Sequence, residues 1–202
     1  MRTSLAIAAV AALLLTGCTA AEESAADSNP AAPASTSATG PVETLLATHG
    51  LEGLDGKELV DTLDETALSD RPEGLMASVR YDEVLISAAD WPEPQPVELD
   101  GDEFYLSFAP FVDTTHECYF HSLTTCVGEL GNEEFQVTVT DSATGEVLVD
   151  EAMTTFDNGF VGVWLPRDID ATLRIEGAAG SAETAIGTGP EDPTCLTTVQ
   201  LA

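Results

Sequence analysis

The sequence predicts an α+β fold that is mainly β. A small N-terminal helical and hairpin region is followed by an antiparallel β-sandwich or small barrel. Three observations carry this reading. Two short segments before residue 66 have helical periodicity and cap signals, the apolar period beyond residue 96 is almost everywhere two, and turn signals recur at short intervals.

The chain opens on an address rather than a fold. Met1-Arg2 supplies a short positive region, and Leu5 to Leu15 is an uncharged apolar run too short to span a bilayer. Residues 1–17 therefore read as a signal peptide. The run ends in Leu15-Thr16-Gly17-Cys18, which looks like a bacterial lipobox, so Cys18 is the expected lipidation site. Stable anchoring takes two acyl chains where one would not suffice. Residues 18–40 read as a spacer, because 18 of the 22 residues from Thr19 to Gly40 are Ala, Ser, Thr, Pro or Gly. Such a segment has too little apolar surface to offset its ordering entropy. Residues 41–96 are then expected to form the N-terminal region, and 97–202 the β domain carrying a Cys/His site.

Val42 to His49 reads as a helix ended by Gly50, with His49 in a capping role. Asp55 is the expected N-cap of a second helix, with Glu58 three residues on and Leu59, Val60 and Leu63 as its apolar face. Leu75, Ala77 and Val79, a turn at 81–83, then Val84 and Ile86 read as a hairpin. Trp91 to Pro96 carries three prolines and reads as a stiff connector. Phe104 to Phe108, Phe135 to Val139, Glu146 to Asp150, Phe160 to Leu165, Ala171 to Glu176 and Thr194 to Leu201 are the expected strands. Asn158-Gly159 is read as a hairpin turn.

Thirty-six acidic residues against six basic ones give a net charge of −30. Such a field repels phosphate backbones and argues against nucleic-acid binding, and against a basic patch on anionic lipid. The acidic clusters Asp61-Asp64-Glu65 and Asp100-Asp102-Glu103 lack a calcium-loop pattern and read as solvated faces. Ser122, Thr124 and Thr125 lack a nucleophile elbow, and no catalytic residue is assigned.

With Cys18 lipidated, three thiols remain, Cys118, Cys126 and Cys195, and pure crosslinking leaves one over. His116 and His121 share an eleven-residue window with two of them. Thiolate and imidazole donors suit Cu(I), Zn(II) or iron, but the cysteine spacings of eight and sixty-nine are not those of a zinc knuckle. Cu(I) tolerates low coordination by sulfur, which makes Cys118, Cys126, Cys195, His121 and His116 candidate copper ligands. Glu117 and Glu129 would raise nearby thiol pKa values, so ionisation is expected to need a histidine or the metal. A Cys118–Cys126 disulfide is the candidate redox bridge. Forming it would release two electrons, enough for two Cu(II).

The run Phe104 to Phe111, then Thr115-His116-Glu117-Cys118, His121 to Cys126, Asn158-Gly159-Phe160, Trp164 to Asp168 and Thr194 to Thr198 closely resemble the CueP family of periplasmic copper-binding proteins. The resemblance spans roughly Leu51 to Leu201. It implies a two-part protein that sequesters copper outside the cytoplasm for copper resistance, with Cys118, Cys126 and Cys195 acting in Cu(II) reduction and Cu(I) binding. The lipobox, the spacer and the large negative charge depart from that pattern and argue against a freely diffusing carrier.

The sequence thus points to an extracytoplasmic copper protein, lipid-anchored on the periplasm or cell-wall side, whose partners are copper ions, the membrane and an extracytoplasmic copper acceptor protein. Cupric reduction would be stoichiometric rather than catalytic turnover. The rival expectations are a thiol–disulfide oxidoreductase, which the missing Cys-x-x-Cys disfavours, and a structural surface lipoprotein with one disulfide.

Overall fold

The computed structural model describes residues 40–202. The expected leader, the Cys18 lipobox and nearly all of the spacer lie outside the described residues. No helix among the described residues is long and apolar enough to cross a membrane.

Helix α1 (Pro41–Thr48) starts on a proline, whose missing N–H costs nothing in the first turn, and ends with His49 at its C-cap and Gly50 at φ +70°. Helix α2 (Gly56–Glu65) has a full capping box. The Asp55 carboxylate accepts from Glu58 N–H at 2.9 Å, and Glu58 accepts from Asp55 N–H at 3.0 Å. Leu59, Val60 and Leu63 are buried, as the helical period requires. Strands β1 (Leu75–Val79) and β2 (Glu83–Ala88) form the expected antiparallel hairpin, with Leu75 opposite Ala88. The proline-rich connector gives way at Gln95 to a short edge strand, β3 (Gln95–Glu98), completing a three-stranded sheet. Pro96 is tolerated there because an edge strand can forgo one donor.

The remaining strands are β4 (Glu103–Phe111), β5 (Glu134–Asp141), β6 (Val147–Thr154), β7 (Val161–Pro166), β8 (Asp170–Gly177), β9 (Gly180–Gly187) and β10 (Cys195–Gln200). They form two sheets, ordered β10-β4-β7 and β6-β5-β8-β9. Phe104, Leu106 and Phe108 from one sheet, and Phe135, Val137, Leu173 and Ile175 from the other, share one core. The sandwich is open, not a closed barrel. All pairings are antiparallel except β10 on β4, which is parallel and sets Cys195 opposite Ser107. Strand β9 alternates in burial, but its Gly, Ser, Ala and Glu residues have weak strand preference and give it no clear strand pattern in the sequence. The tight return from β8 places it.

Strand β4 is buried on both faces. Its even-numbered residues from Phe104 to Phe108 line the sandwich, while Tyr105 packs with the helices and the first hairpin, and Ala109 packs with Phe160 and Cys195. It is the wall shared by the sandwich and the N-terminal elements.

The Asn158-Gly159 pair is not the hairpin that its composition suggests, because β6 and β7 lie in different sheets. Asn158 is fully buried, and its carboxamide accepts from Phe160 N–H at 2.8 Å. Gly159 sits at φ +81° against the backbone of Gly128, where a Cβ would lie 2.8 Å from the Gly128 carbonyl carbon. Gly145, at φ +73° in the β5–β6 turn, faces open space. Alanine in left-handed backbone costs roughly 1–2 kcal/mol, so both substitutions should destabilise. Gly159→Ala should lower the urea midpoint clearly further than Gly145→Ala. Equal losses would show that the Gly128–Gly159 approach contributes nothing.

Candidate metal centre

Residues 112–133, between β4 and β5, form a long irregular loop, and it is held down at many points. Thr115 donates to the Thr197 carbonyl at 2.6 Å, and Cys195 N–H donates to Tyr119 O at 3.1 Å. An antiparallel bridge pairs Ser122 with Ser78, with Val79 N–H donating to His121 O and Leu123 N–H to Ala77 O. Gly128 N–H donates to Asn158 O at 2.6 Å. A loop of this length anchored at so many points is built for a task rather than for connection.

The three cysteines of the described residues meet here. A disulfide joins Cys118 to Cys195, with Cα atoms 5.7 Å apart, and Cys126 is free and half-buried. The bridge expected between Cys118 and Cys126 is therefore replaced by Cys118–Cys195. The parallel docking of β10 brings Cys195 under the loop beside Tyr119, a contact that local spacing cannot reveal. The Cys126 sulfur nevertheless lies 3.7 Å from that of Cys118 and accepts from Ser122 N–H at 3.4 Å.

Two groups of metal-capable donors overlap at Cys126. His116, Cys118 and Cys126 form one, and His121, Cys126 and Cys195 the other, with one ligand atom of each residue within 4.8 Å of the rest. All five residues singled out in the sequence are thus brought together. His116 is exposed, whereas His121 is wholly buried, its ring 4.7 Å from that of Phe160. Open grooves of about 620 Å³ and 780 Å³ flank Cys118. Glu117 borders both, Cys126 and Glu129 the first, and Tyr119 the second.

Asp64 is the residue that sequence reasoning misplaced. Read as part of a solvated acidic face, it is fully buried, because it lies one helical turn after Val60 on the inward side of α2. Its carboxylate accepts from Tyr105 Oη at 2.7 Å, Ser107 Oγ at 3.2 Å and Asn158 Nδ2 at 2.9 Å, and pairs with His121 Nε2 at 2.8 Å. The spacing of Val60 and Asp64 was the available signal. His121 Nδ1 is buried without a hydrogen-bond partner and is the ring nitrogen left for a ligand.

The electrostatics follow from these contacts. Burial alone would push His121 down, but the Asp64 charge and hydrogen bond, with a smaller contribution from Cys126, raise it from 6.5 to about 9. Burial opposes ionisation of Asp64 too, yet His121 charge and hydrogen bonding, with Tyr105 and Asn158, hold it below the usual carboxylate range. Burial likewise works against a Cys126 thiolate and is outweighed by His121 and by Ser122 N–H, so its pKa is lowered. The raised thiol pKa expected from Glu117 and Glu129 is not found at Cys126. Glu129 is occupied by the backbone N–H groups of Val112 and Asp113. Arg71, a few residues beyond α2, donates to the Cys126 carbonyl at 2.9 Å.

These shifts set a pH dependence for the metal-free protein. A histidine whose folded pKa is raised contributes stability in full below 6.5 and loses it as pH rises through about 9. The lowered Asp64 contributes above its unfolded value and loses it in acid. In a Cys126→Ser background, where that thiol no longer titrates, urea stability should fall as pH rises above 6.5, because Asp64 still raises His121, and adding His121→Gln should flatten this limb. An unchanged limb in the double variant would refute the Asp64–His121 assignment.

A family model described as "Periplasmic copper-binding protein CueP" matches residues 58–200. The chain is also similar to a solved structure described as "Crystal Structure of S.CueP", at 41% sequence identity and a TM-score of 0.73, covering 81% of this chain and 98% of that one. No curated protein sequence matched the chain. The match over most of the fold, and over the whole Cys/His loop, shows that this chain belongs to the CueP family of periplasmic copper-binding proteins.

Proposed function

We propose that the protein holds Cu(I) through Cys118, Cys126 and Cys195, with His121 and His116 completing or tuning the site, and that its thiols reduce Cu(II). The observation that carries this reading is the overlap of two soft-donor groups on one sulfur, that of Cys126. Thiolate and imidazole suit Cu(I), and a partly apolar shell of Phe160 and Ala109 limits water at the buried side.

The redox step balances on the chain's own atoms. In the reduced protein, Cys118 and Cys195 each give up a proton and one electron as the sulfur–sulfur bond forms. The two electrons convert two Cu(II) to two Cu(I). Cys126 stays a thiol and remains available, with His121, to keep hold of one cuprous ion. The step is stoichiometric, so repeated turnover needs an external dithiol reductant.

The lipobox at Cys18 supports a lipid-anchored protein held on the outer face of the cell membrane, with residues 18–40 as its tether and 41–96 and 97–202 as its two folded parts. An extracytoplasmic copper acceptor is the matching partner for a tethered store.

Titration of the fully reduced protein with Cu(I) against a competing chelator tests binding, and thiol counting before and after Cu(II) tests reduction. Two thiols should be lost for every two Cu(II) reduced, and Cys126→Ala should weaken Cu(I) retention after oxidation. Absence of competition removes the binding claim, and an unchanged thiol count removes the reductase claim.

A further inference from the structure

The sulfur atoms stand closer than a bridge and a bystander require. Cys118 is bonded to Cys195, while the free Cys126 sulfur lies 3.7 Å from the Cys118 sulfur. Thiol–disulfide exchange needs a thiolate that can reach one sulfur of a bridge and a second thiolate that can depart. We propose that Cys126 attacks the Cys118 sulfur and displaces Cys195, so that the protein interconverts two disulfide isomers, Cys118–Cys195 and Cys118–Cys126. The inference goes beyond the copper reading and does not depend on it.

The step is balanced without any other reactant. The Cys126–Cys118 bond forms as the Cys118–Cys195 bond breaks, and the proton given up by Cys126 is regained by Cys195. No electrons enter or leave.

The fold is arranged so that only the central residue has to move. Cys195 stays in place without the bridge, because β10 is paired to β4, Cys195 N–H donates to Tyr119 O, and Ser107 N–H donates to Thr194 O at 3.0 Å. The Thr194 hydroxyl donates to Val79 O at 2.9 Å and accepts from His121 N–H at 3.0 Å. Cys126 is fixed by its N–H to Ser122 O at 3.1 Å and by Arg71 on its carbonyl. Cys118 lies between them on the exposed stretch of the loop, at the border of both grooves. Its side chain can turn from one anchored sulfur to the other.

Exchange relocates the free thiol. In one isomer it is Cys126, half-buried at the wall of the 620 Å³ groove. In the other it is Cys195, 1% exposed and grouped with His121. A single thiol is thereby either offered to solvent or withdrawn from it, with no change in oxidation state.

The test uses the full chain with its disulfide intact and copper removed by a chelator. The protein is quenched in mildly acidic denaturant containing a maleimide, and the labelled cysteines are mapped by peptide mass. Most label should fall on Cys126 and roughly 0.1–10% on Cys195, the range of a minor state a few kcal/mol above the major one. The ratio should not depend on protein concentration. Label on Cys126 alone would overturn the proposal, and so would a Cys195 share that grows with concentration, which marks exchange between molecules. As a second arm, Cys195→Ser treated with a mild oxidant should lose both remaining thiols of the folded domain as Cys118–Cys126 closes, and persistence of both would overturn it. No copper is present in either arm, so failure here leaves the copper titration to stand or fall separately.

Discussion

The buried carboxylate of Asp64 is the contact on which the site depends. It is carried by α2 and met by a phenol and a hydroxyl from β4, a carboxamide from the β6–β7 turn and an imidazole from the long loop. Three separate chain segments therefore converge on two oxygen atoms carried by a fourth. A buried charge is tolerable only when it is paired and its remaining lone pairs are filled, and here both conditions hold. The arrangement also fixes the imidazole. With Nε2 committed to Asp64, the other ring nitrogen is left facing the sulfurs, which is how a second layer of residues commonly orients a metal-binding histidine.

Strand β4 makes this convergence possible. A strand with one wet face would give the sandwich its core but leave nothing for the helices to pack on. With Phe104, Leu106 and Phe108 on one side and Tyr105 and Ser107 on the other, β4 serves two cores at once. Gly162 on the neighbouring β7 is part of the same design, because a side chain there would occupy the space of the Tyr105 phenol. The wall that holds the two halves together is also the surface against which the metal-capable residues are laid.

Much of the fold was legible because local rules and tertiary demands agree. The Asp55–Glu58 capping box and the hairpin from Leu75 to Ala88 are both decided by neighbours in sequence. The clustering of His116, Cys118, His121 and Cys126 was legible as well, since soft donors crowd one window and an odd thiol count asks for a reason. What stayed hidden is long-range. The choice of Cys195 as the partner of Cys118 depends on a parallel strand pairing, and the burial of Asp64 depends on which face of α2 meets β4. The Asn158-Gly159 pair shows the opposite failure. A strong local signal was overridden because Asn158 is more useful tying Asp64 to the turn than closing a hairpin.

The identity of the odd thiol is a consequence of the fold rather than of spacing. By loop length alone, Cys118 should close on Cys126, eight residues away, instead of Cys195, seventy-seven away. The long closure carries little penalty in the folded state, because β10 and the Tyr119 backbone have already brought the two chain segments together. It also restrains the unfolded chain far more, which favours the native state. The result leaves Cys126 as the sulfur that both donor groups share, next to the histidine that Asp64 orients. On the proposed reading, oxidation then consumes two thiols and spares the one best placed to keep a cuprous ion. A three-cysteine site with the bridge in the other register would spare Cys195 instead, which is buried on β10 beside β4 and is not among the residues that line the grooves.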